Sequence, residues 1–91
     1  MFLGIDIGTS NVKAVLADEA QRIVASASAP IPISRPHELW SEQNPEDWWA
    51  ATEAAVSEVR RGAGEAWAKV RAIGLSGQMH GAVLLDAAGV P

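Results

Sequence analysis

Three short apolar segments separated by tight turns occupy the first 27 residues, and they restrict the fold more than any other feature of the chain. Segment 2–8 alternates apolar residues with small or polar ones, which is the period of two expected for a β-strand. Segments 12–17 and 22–27 are again apolar and rich in β-branched residues, and turn-forming clusters at 8–11 and 18–21 connect the three. Strands joined by such short links predict an antiparallel meander.

A proline-containing loop and a helix are expected next. Residues 30–45 include four prolines, which lack the N–H that a sheet requires, and therefore predict an extended loop. Asn44 suits the N-cap of a helix and Pro45 its first position. The helix should continue to about Arg61, with Gly62 as the residue just beyond its end. The side chains expected on the face that covers the sheet are Trp48, Thr52, Ala55, Val56 and Val59.

The remaining segments predict an α/β fold. After a connector at 62–64, residues 70–76 form a fourth apolar strand and 77–81 a polar loop; residues 83–85 predict a fifth strand, with a turn at 86–89. Because the fourth strand follows a helix, it can lie parallel to the first strand through a right-handed crossover. The turn after the first strand and the loop after the fourth would then meet at one edge of the sheet.

Composition excludes several classes of protein. The formal net charge is -4 and the chain lacks a basic cluster beyond two adjacent arginines, which argues against binding to nucleic acid or to an anionic membrane. The absence of cysteine excludes disulfides, cysteine-based zinc sites and cysteine nucleophiles. No apolar run approaches the roughly 18 residues of a membrane span, and the N-terminus does not look like a signal peptide. We therefore expect a cytoplasmic protein.

The apolar residues are too small for a substantial core. Seventeen of them are alanine, which leaves 27 larger side chains in a chain of 91 residues. The chain also stops at Gly89-Val90-Pro91, shortly after an apolar run and a turn. We therefore expect a fragment of a longer protein.

The end of the first strand carries the residues best suited to bind phosphate. A carboxylate at Asp6, near the end of an apolar strand, is more easily kept charged beside a cation such as Mg²⁺. The tight turn that follows offers backbone amides and hydroxyl groups to phosphate oxygens, and a lysine adds a positive charge. These residues are Gly8, Thr9, Ser10, Asn11 and Lys13. The alternative is an ordinary hairpin turn in which glycine and asparagine supply positive φ and Asp6 caps the turn.

The loop after the fourth strand carries a second polar cluster. Gly77 and Gly81 allow the backbone to approach a ligand closely, while Gln78 and His80 can bind hydroxyl groups and Met79 can pack on the apolar face of a sugar. The alternative is a structural loop with a solvated histidine. Its predicted position beside the turn at Asp6 favours a ligand site.

Tryptophans are concentrated around the start of the helix. Trp40, Trp48 and Trp49 could stack on a sugar ring or a base, but we expect Trp48 in the core and Trp40 holding the loop against the sheet. Glu42 and Gln43 could line a pocket or cap a turn. No partner is identified for His37, which we expect to be solvated.

Three motifs, taken in order, resemble one family. The segments 2–13 (FLGIDIGTSNVK), 34–49 (SRPHELWSEQNPEDWW) and 73–81 (IGLSGQMHG) resemble the N-terminus of the FGGY sugar kinases, and within them the xylulokinases. The first motif is shared with many actin-like ATPases, whereas the other two are more specific. The resemblance covers essentially the whole chain.

The resemblance implies a ribonuclease H-like, actin-like fold, with residues 1–91 as the N-terminal part of the first domain and the second domain absent. It implies transfer of the γ-phosphate of ATP to D-xylulose, which gives D-xylulose 5-phosphate, and it allows a homodimer of the complete enzyme. Asp6 would be catalytic and lie near Mg²⁺, and Met79 and His80, with Gln78, would contact the sugar. The residues placed at the ATP phosphates would be Gly8, Thr9, Ser10, Asn11 and Lys13.

Two alternatives remain open. In the family the catalytic base is an aspartate far downstream, which this chain does not contain, so a non-catalytic nucleotide-binding module is one alternative. A related kinase for ribulose, gluconate, glycerol or another polyol is the other.

Overall fold

The structure is a computed structural model that describes all residues from Met1 to Pro91. It contains four strands, one α-helix and one 3₁₀ helix. Their bounds are β1 Phe2–Ile7, β2 Asn11–Ala17, β3 Ile23–Pro30, α1 Pro45–Ala63, the 3₁₀ helix Gly64–Lys69 and β4 Ala72–Gly77.

The four strands form one mixed sheet in the order β3-β2-β1-β4. β1 pairs antiparallel with β2, and β2 pairs antiparallel with β3, which confirms the predicted meander. β4 pairs parallel with β1, as its position after a helix predicted. In this register Asp6 lies between Lys13 of β2 and Ser76 of β4. The C-terminal ends of β1 and β4 therefore lie side by side.

The core lies between helix α1 and the meander. The buried side chains of β1 and β2 all lie on one face of the sheet. Leu3 and Leu16, for example, are direct cross-strand partners and are both buried. Helix α1 packs chiefly on β2 and β3 and makes no contact with β4. The nine buried residues are Leu3, Val12, Ala14, Leu16, Ala29, Ile31, Ala51, Ala55 and Val59.

Helix α1 begins where its sequence predicts. Asn44 has an extended backbone, and its side-chain oxygen accepts a hydrogen bond of 3.1 Å from the amide of Glu46. Acidic residues occupy the first turn and arginines the last, where they complement the dipole of the helix. The predicted end at Gly62 is wrong, because α1 continues through Gly62 to Ala63. Gly64 ends it instead, with φ 58° and ψ -128°, a conformation that strongly favours glycine.

Two predictions about strands also require correction. The third strand does not end at residue 27 but continues to Pro30, whose missing N–H costs nothing because β3 is an edge strand. The predicted fifth strand at 83–85 is absent, because these residues pair with no other strand. The turn expected after it is present, and the Asp86 carboxylate accepts hydrogen bonds from the amides of Ala88 and Val90.

No helix of the structure has both the length and the apolar character needed to cross a membrane.

Candidate functional site

The turn after β1 and the loop after β4 meet at one edge of the sheet. The hydroxyl of Thr9 donates a hydrogen bond of 2.8 Å to the side-chain oxygen of Gln78, 69 residues away in sequence. The backbone amide of Gln78 donates to the carbonyl of Ile7, which extends the pairing of the two strands by one residue. The predicted proximity of the two polar segments is thus present in the structure.

The turn that follows β1 leaves two backbone amides free. The amide of Gly8 donates to the carbonyl of Asn11 over 2.9 Å, and a Cβ at Gly8 would lie 3.1 Å from that oxygen. The amides of Thr9 and Ser10 donate to no atom of the chain. Free, adjacent and exposed amides in a tight turn suit an anionic oxygen.

The alternative interpretation of this turn is not supported by its backbone. Neither Gly8 nor Asn11 has positive φ, so neither is there to supply that conformation. The carboxylate of Asp6 accepts no hydrogen bond from the chain and therefore does not cap the turn. The role of Gly8 is instead the close approach of its Cα to the Asn11 carbonyl.

Asp6 and Lys13 face each other across β1 and β2 on the sheet face opposite to α1. Both are exposed, and they form no ion pair within 4.0 Å. They line a shallow depression of about 360 Å³ together with Gly4, Gly74 and Ser76. The two charged groups are thus available to a ligand rather than bound to each other.

No cluster of three or more His, Asp or Glu side chains could hold a metal ion on its own. A single free carboxylate at Asp6 still fits Mg²⁺, which keeps several waters and binds through one or two carboxylates together with substrate phosphates. Oxygen donors of this kind are what a hard divalent cation prefers.

A cleft of about 480 Å³ opens beside the junction of the two segments. Thr9, Gln78 and His80 line it, whereas Met79 is largely exposed and does not. Ser10, Asn11 and Lys13 also lie outside its lining. The structure therefore brings one residue of the predicted phosphate site together with two of the predicted sugar site, and it places the other residues nearby but apart from the cleft.

Two residues outside the predicted site join it. The side-chain amide of Gln43 donates a hydrogen bond of 2.6 Å to the carbonyl of Thr9, and its oxygen accepts one of 2.9 Å from the indole N–H of Trp48. Both residues line the cleft. Gln43 and Glu42 line the cleft, which agrees with one of the two alternatives given for them, whereas the hydrogen bonds of Gln43 to Thr9 and Trp48 are not predicted by the sequence. The position of Gln43 directly before the N-cap of α1 is the one signal that it lies near the sheet edge.

The other aromatic residues of this region lie away from the core. Trp49 is exposed, and Trp40 is exposed as well, so the prediction that Trp40 holds the loop against the sheet is wrong. Trp40 instead contacts His37 edge to face, with ring centroids 4.5 Å apart. His37 therefore has an aromatic partner, which the sequence does not indicate.

Comparison with known proteins gives a consistent result. All residues from 1 to 91 match the model of the N-terminal domain of the FGGY family of carbohydrate kinases. The xylulose kinase of Klebsiella pneumoniae is 51% identical over 86 residues, which are 94% of this chain and 17% of that protein. A glycerol kinase of Chelativorans sp. (strain BNC1) is 38% identical over 90 residues, which are 98% of this chain and 18% of that protein.

Solved structures give the same picture. A xyloylose kinase from Brucella ovis is 49% identical, with a TM-score of 0.90 over 96% of this chain and 18% of that one. The structural neighbours have the actin-like ATPase fold, which confirms the predicted fold class. The chain spans less than a fifth of the length of the curated relatives described above.

Proposed function

Because the chain belongs to the FGGY family of carbohydrate kinases, we propose that the protein containing it transfers the γ-phosphate of ATP to D-xylulose and produces D-xylulose 5-phosphate. We further propose that residues 1–91 are the N-terminal part of the first actin-like domain. The xylulose kinase of Klebsiella pneumoniae supports the choice of sugar, since half of the matched residues are identical.

The observation that carries this proposal is the contact between Thr9 and Gln78. It joins a turn with two free amides to a polar loop that lines a cleft. Transfer of a phosphoryl group requires donor and acceptor to lie side by side, and holding them in place supplies much of the rate acceleration. A phosphate-binding turn in contact with a hydroxyl-binding loop fits that requirement.

The roles at the donor side follow from charge and free hydrogen-bond capacity. The amides of Thr9 and Ser10 would bind phosphate oxygens, and Lys13 would neutralise part of their charge. Asp6 would hold Mg²⁺ through water or directly, and such an ion when bound neutralises negative charge on the phosphates. Asn11, at the end of the turn, would keep the turn closed through its carbonyl bond to Gly8.

The roles at the acceptor side follow from the cleft. Gln78 and His80 offer hydrogen bonds to sugar hydroxyls, and His80 lines the cleft directly. Met79 would pack against the sugar only if the loop adjusted on binding, since its side chain is largely exposed. We place the catalytic base that accepts the hydroxyl proton on residues outside 1–91.

The test is a substrate panel on the purified full-length protein, with ADP release as the readout. Turnover with D-xylulose should exceed turnover with ribulose, gluconate or glycerol by at least about 10-fold in kcat/KM, the discrimination that one well-placed hydrogen bond provides. Preference for glycerol would identify a related polyol kinase, which the 38% identity to a glycerol kinase makes the second candidate. ATP binding without phosphorylation of any sugar would leave a non-catalytic module.

A further inference from the structure

We propose that Gln43 is a positioning residue that aims the phosphate-binding turn of this site. The inference rests on the proposed function for its kinetic consequence, whereas its structural part can be tested without it. Gln43 lies in the loop before α1 and reaches a turn 34 residues earlier in the chain. None of the motif residues assigned to ATP, Mg²⁺ or the sugar includes it.

The contact of Gln43 determines the direction of one peptide unit. Its side-chain amide donates to the carbonyl oxygen of Thr9 over 2.6 Å. That carbonyl belongs to the same trans peptide unit as the amide of Ser10, and in a trans unit the C=O and N–H point in opposite directions. Holding the Thr9 oxygen toward Gln43 therefore directs the Ser10 N–H away from Gln43. This N–H is one of the two free amides of the turn.

The other end of Gln43 is anchored to the helix. Its oxygen accepts a hydrogen bond of 2.9 Å from the indole N–H of Trp48, in the first turn of α1. Trp48 is half-buried and packs against the core, and its carbonyl accepts a hydrogen bond of 2.7 Å from the hydroxyl of Thr52. The side-chain amide of Gln43 thus connects helix α1 to the turn, and both its N–H donor and its oxygen acceptor are hydrogen-bonded.

The connection continues to the acceptor side of the site. The hydroxyl of Thr9 donates to Gln78, so that Trp48, Gln43, Thr9 and Gln78 form one series of hydrogen bonds from α1 to the loop after β4. A second contact holds the far side of the turn, where the carbonyl of Ser10 accepts a hydrogen bond from the amide of Ile31. Loss of Gln43 would release only the Thr9 side.

The kinetic test uses Gln43→Ala in the full-length protein. We expect kcat with saturating ATP and xylulose to fall by about 10-fold or more, because a displacement of about 1 Å at a phosphate site can cost about 10²-fold. Gln43→Glu keeps an oxygen that can accept from the indole of Trp48, but it places a second oxygen, in place of the N–H donor, against the Thr9 carbonyl. This variant should lower kcat at least as much as Gln43→Ala. An unchanged kcat in both variants would overturn the proposal.

A double-mutant cycle separates positioning from mere packing. Trp48→Phe removes the indole N–H that donates to Gln43, and it should lower kcat about 3-fold when Gln43 is present. In the Gln43→Ala background, Trp48→Phe should cause no further loss of kcat, because the hydrogen bond between the two side chains is already absent. Trp49→Phe is the matched control, since its exposed neighbouring indole makes no hydrogen bond, and it should leave kcat unchanged. Equal losses from Trp48→Phe in both backgrounds would contradict the coupling.

A readout that does not depend on catalysis completes the test. Hydrogen exchange of the Gly8 amide, which is protected by its bond to the Asn11 carbonyl within the turn, should become about 10-fold faster in Gln43→Ala, while the amides of β3 exchange as before. If the protein phosphorylates no sugar yet this exchange accelerates, the proposed function fails and the role of Gln43 stands. If the protein is an active kinase and neither exchange nor kcat changes, the role of Gln43 is wrong and the proposed function stands.

Discussion

The carboxylate of Asp6 is a charge without a partner inside the chain. It lies on the exposed face of a central strand, opposite Lys13 but not in contact with it. A charged group that is neither buried nor paired contributes little to folding, so a strong requirement for it must come from a ligand. This separation of stability from activity makes Asp6 a clean site for mutation.

We predict that Asp6→Asn lowers kcat of the full-length kinase by at least about 10²-fold to 10³-fold, the usual cost of removing one electrostatic group from a site. The free energy of unfolding should change by less than about 0.5 kcal/mol, because the side chain is exposed and unpaired. Steady-state kinetics and thermal unfolding of the same preparation measure both effects. Unchanged turnover would show that Asp6 has no part in the reaction.

His80 lines the cleft and should affect the binding of the sugar more than that of ATP. His80→Ala should raise the KM for xylulose about 10-fold, as expected for the loss of one hydrogen bond, and change the KM for ATP by less than about 2-fold. His37→Ala is the control, because its ring contacts Trp40 and lines no part of the cleft beside Thr9. Equal increases in both KM values for His80→Ala would exclude a specific role at the sugar.

At the level of residues, topology explains which part of the site could be predicted. Thr9 and Gln78 follow strands whose parallel pairing is indicated by the sequence, so their contact follows from the order of the elements. Gln43 reaches Thr9 from a loop without hydrophobic periodicity, and its path cannot be inferred from local pattern. The site residues that the sequence does not predict are therefore those, such as Gln43, whose position depends on the path of an irregular loop.

At the level of elements, the two glycines at the end of α1 behave differently. Gly62 lies within the helix, and a Cβ there would meet Ala25 at an ordinary van der Waals distance of 3.8 Å. Gly64 has φ 58°, a value that side chains rarely tolerate, although a Cβ added there would meet nothing within 4 Å. Local sequence could not distinguish them, because either glycine is an acceptable end for a helix.

We predict that Gly62→Ala stabilises the protein by about 0.5–1 kcal/mol, the difference in helix propensity between the two residues. Gly64→Ala should destabilise it by about 1–3 kcal/mol through backbone strain. Thermal unfolding of the two variants side by side measures the difference in sign. Destabilisation by Gly62→Ala with no effect of Gly64→Ala would place the end of the helix at Gly62 after all.

The turn between β2 and β3 supports a pH-dependent prediction. The pKa of Asp18 lies below its ordinary value of 3.8, chiefly because its carboxylate accepts a hydrogen bond from the backbone amide of Arg22 and also binds the guanidinium of that residue. A carboxylate with a lowered pKa stabilises the folded state above its ordinary pKa, and this contribution is lost as pH falls through the lowered value.

We therefore predict that Asp18→Asn lowers the thermal midpoint at pH 7, and that the difference from the unchanged protein disappears as the pH falls from about 5 through the lowered pKa of this carboxylate. Unfolding measured across this range checks the sign. Asp86→Asn is the control for the ion pair alone, because the carboxylate of Asp86 accepts the same backbone bonds but Val90 stands in place of Arg22, so only the guanidinium contribution differs between the two turns. A difference for Asp18→Asn that grows on acidification would refute the assignment.

The strands illustrate the limit of prediction for elements. The alternation of segment 2–8 matches the burial pattern of β1, because the apolar face of this strand lies on the same side of the sheet as α1. Residues 83–85 have the composition of a strand as well, but a strand exists only where another strand offers its hydrogen bonds. The prediction at Pro30 was wrong in the opposite sense, because a residue assigned to the loop belongs to β3. Pro30 lies at the end of an edge strand, where a missing N–H donor costs little.

At the level of the whole molecule, the described residues do not make a compact body. The radius of gyration is 15.3 Å, against about 12 Å expected for a compact domain of this length. Helix α1 covers β2 and β3 but not β4, so Ile73 and Leu75 lie exposed on the same face as the core, beside Leu3 and Ile5. Uncovered apolar surface of this kind normally binds another part of a protein.

Residues 1–91 produced alone should be only marginally stable. With nine buried side chains, of which four are alanine, the core should yield a free energy of unfolding of no more than about 3 kcal/mol. The exposed half of the sheet should bind a hydrophobic dye such as ANS, and the thermal transition should be broad. The full-length protein at equal molar concentration is the control and should bind less dye per chain. A sharp, cooperative transition of the isolated residues without dye binding would show that α1 and the meander suffice, and that β4 does not depend on a partner for its exposed face.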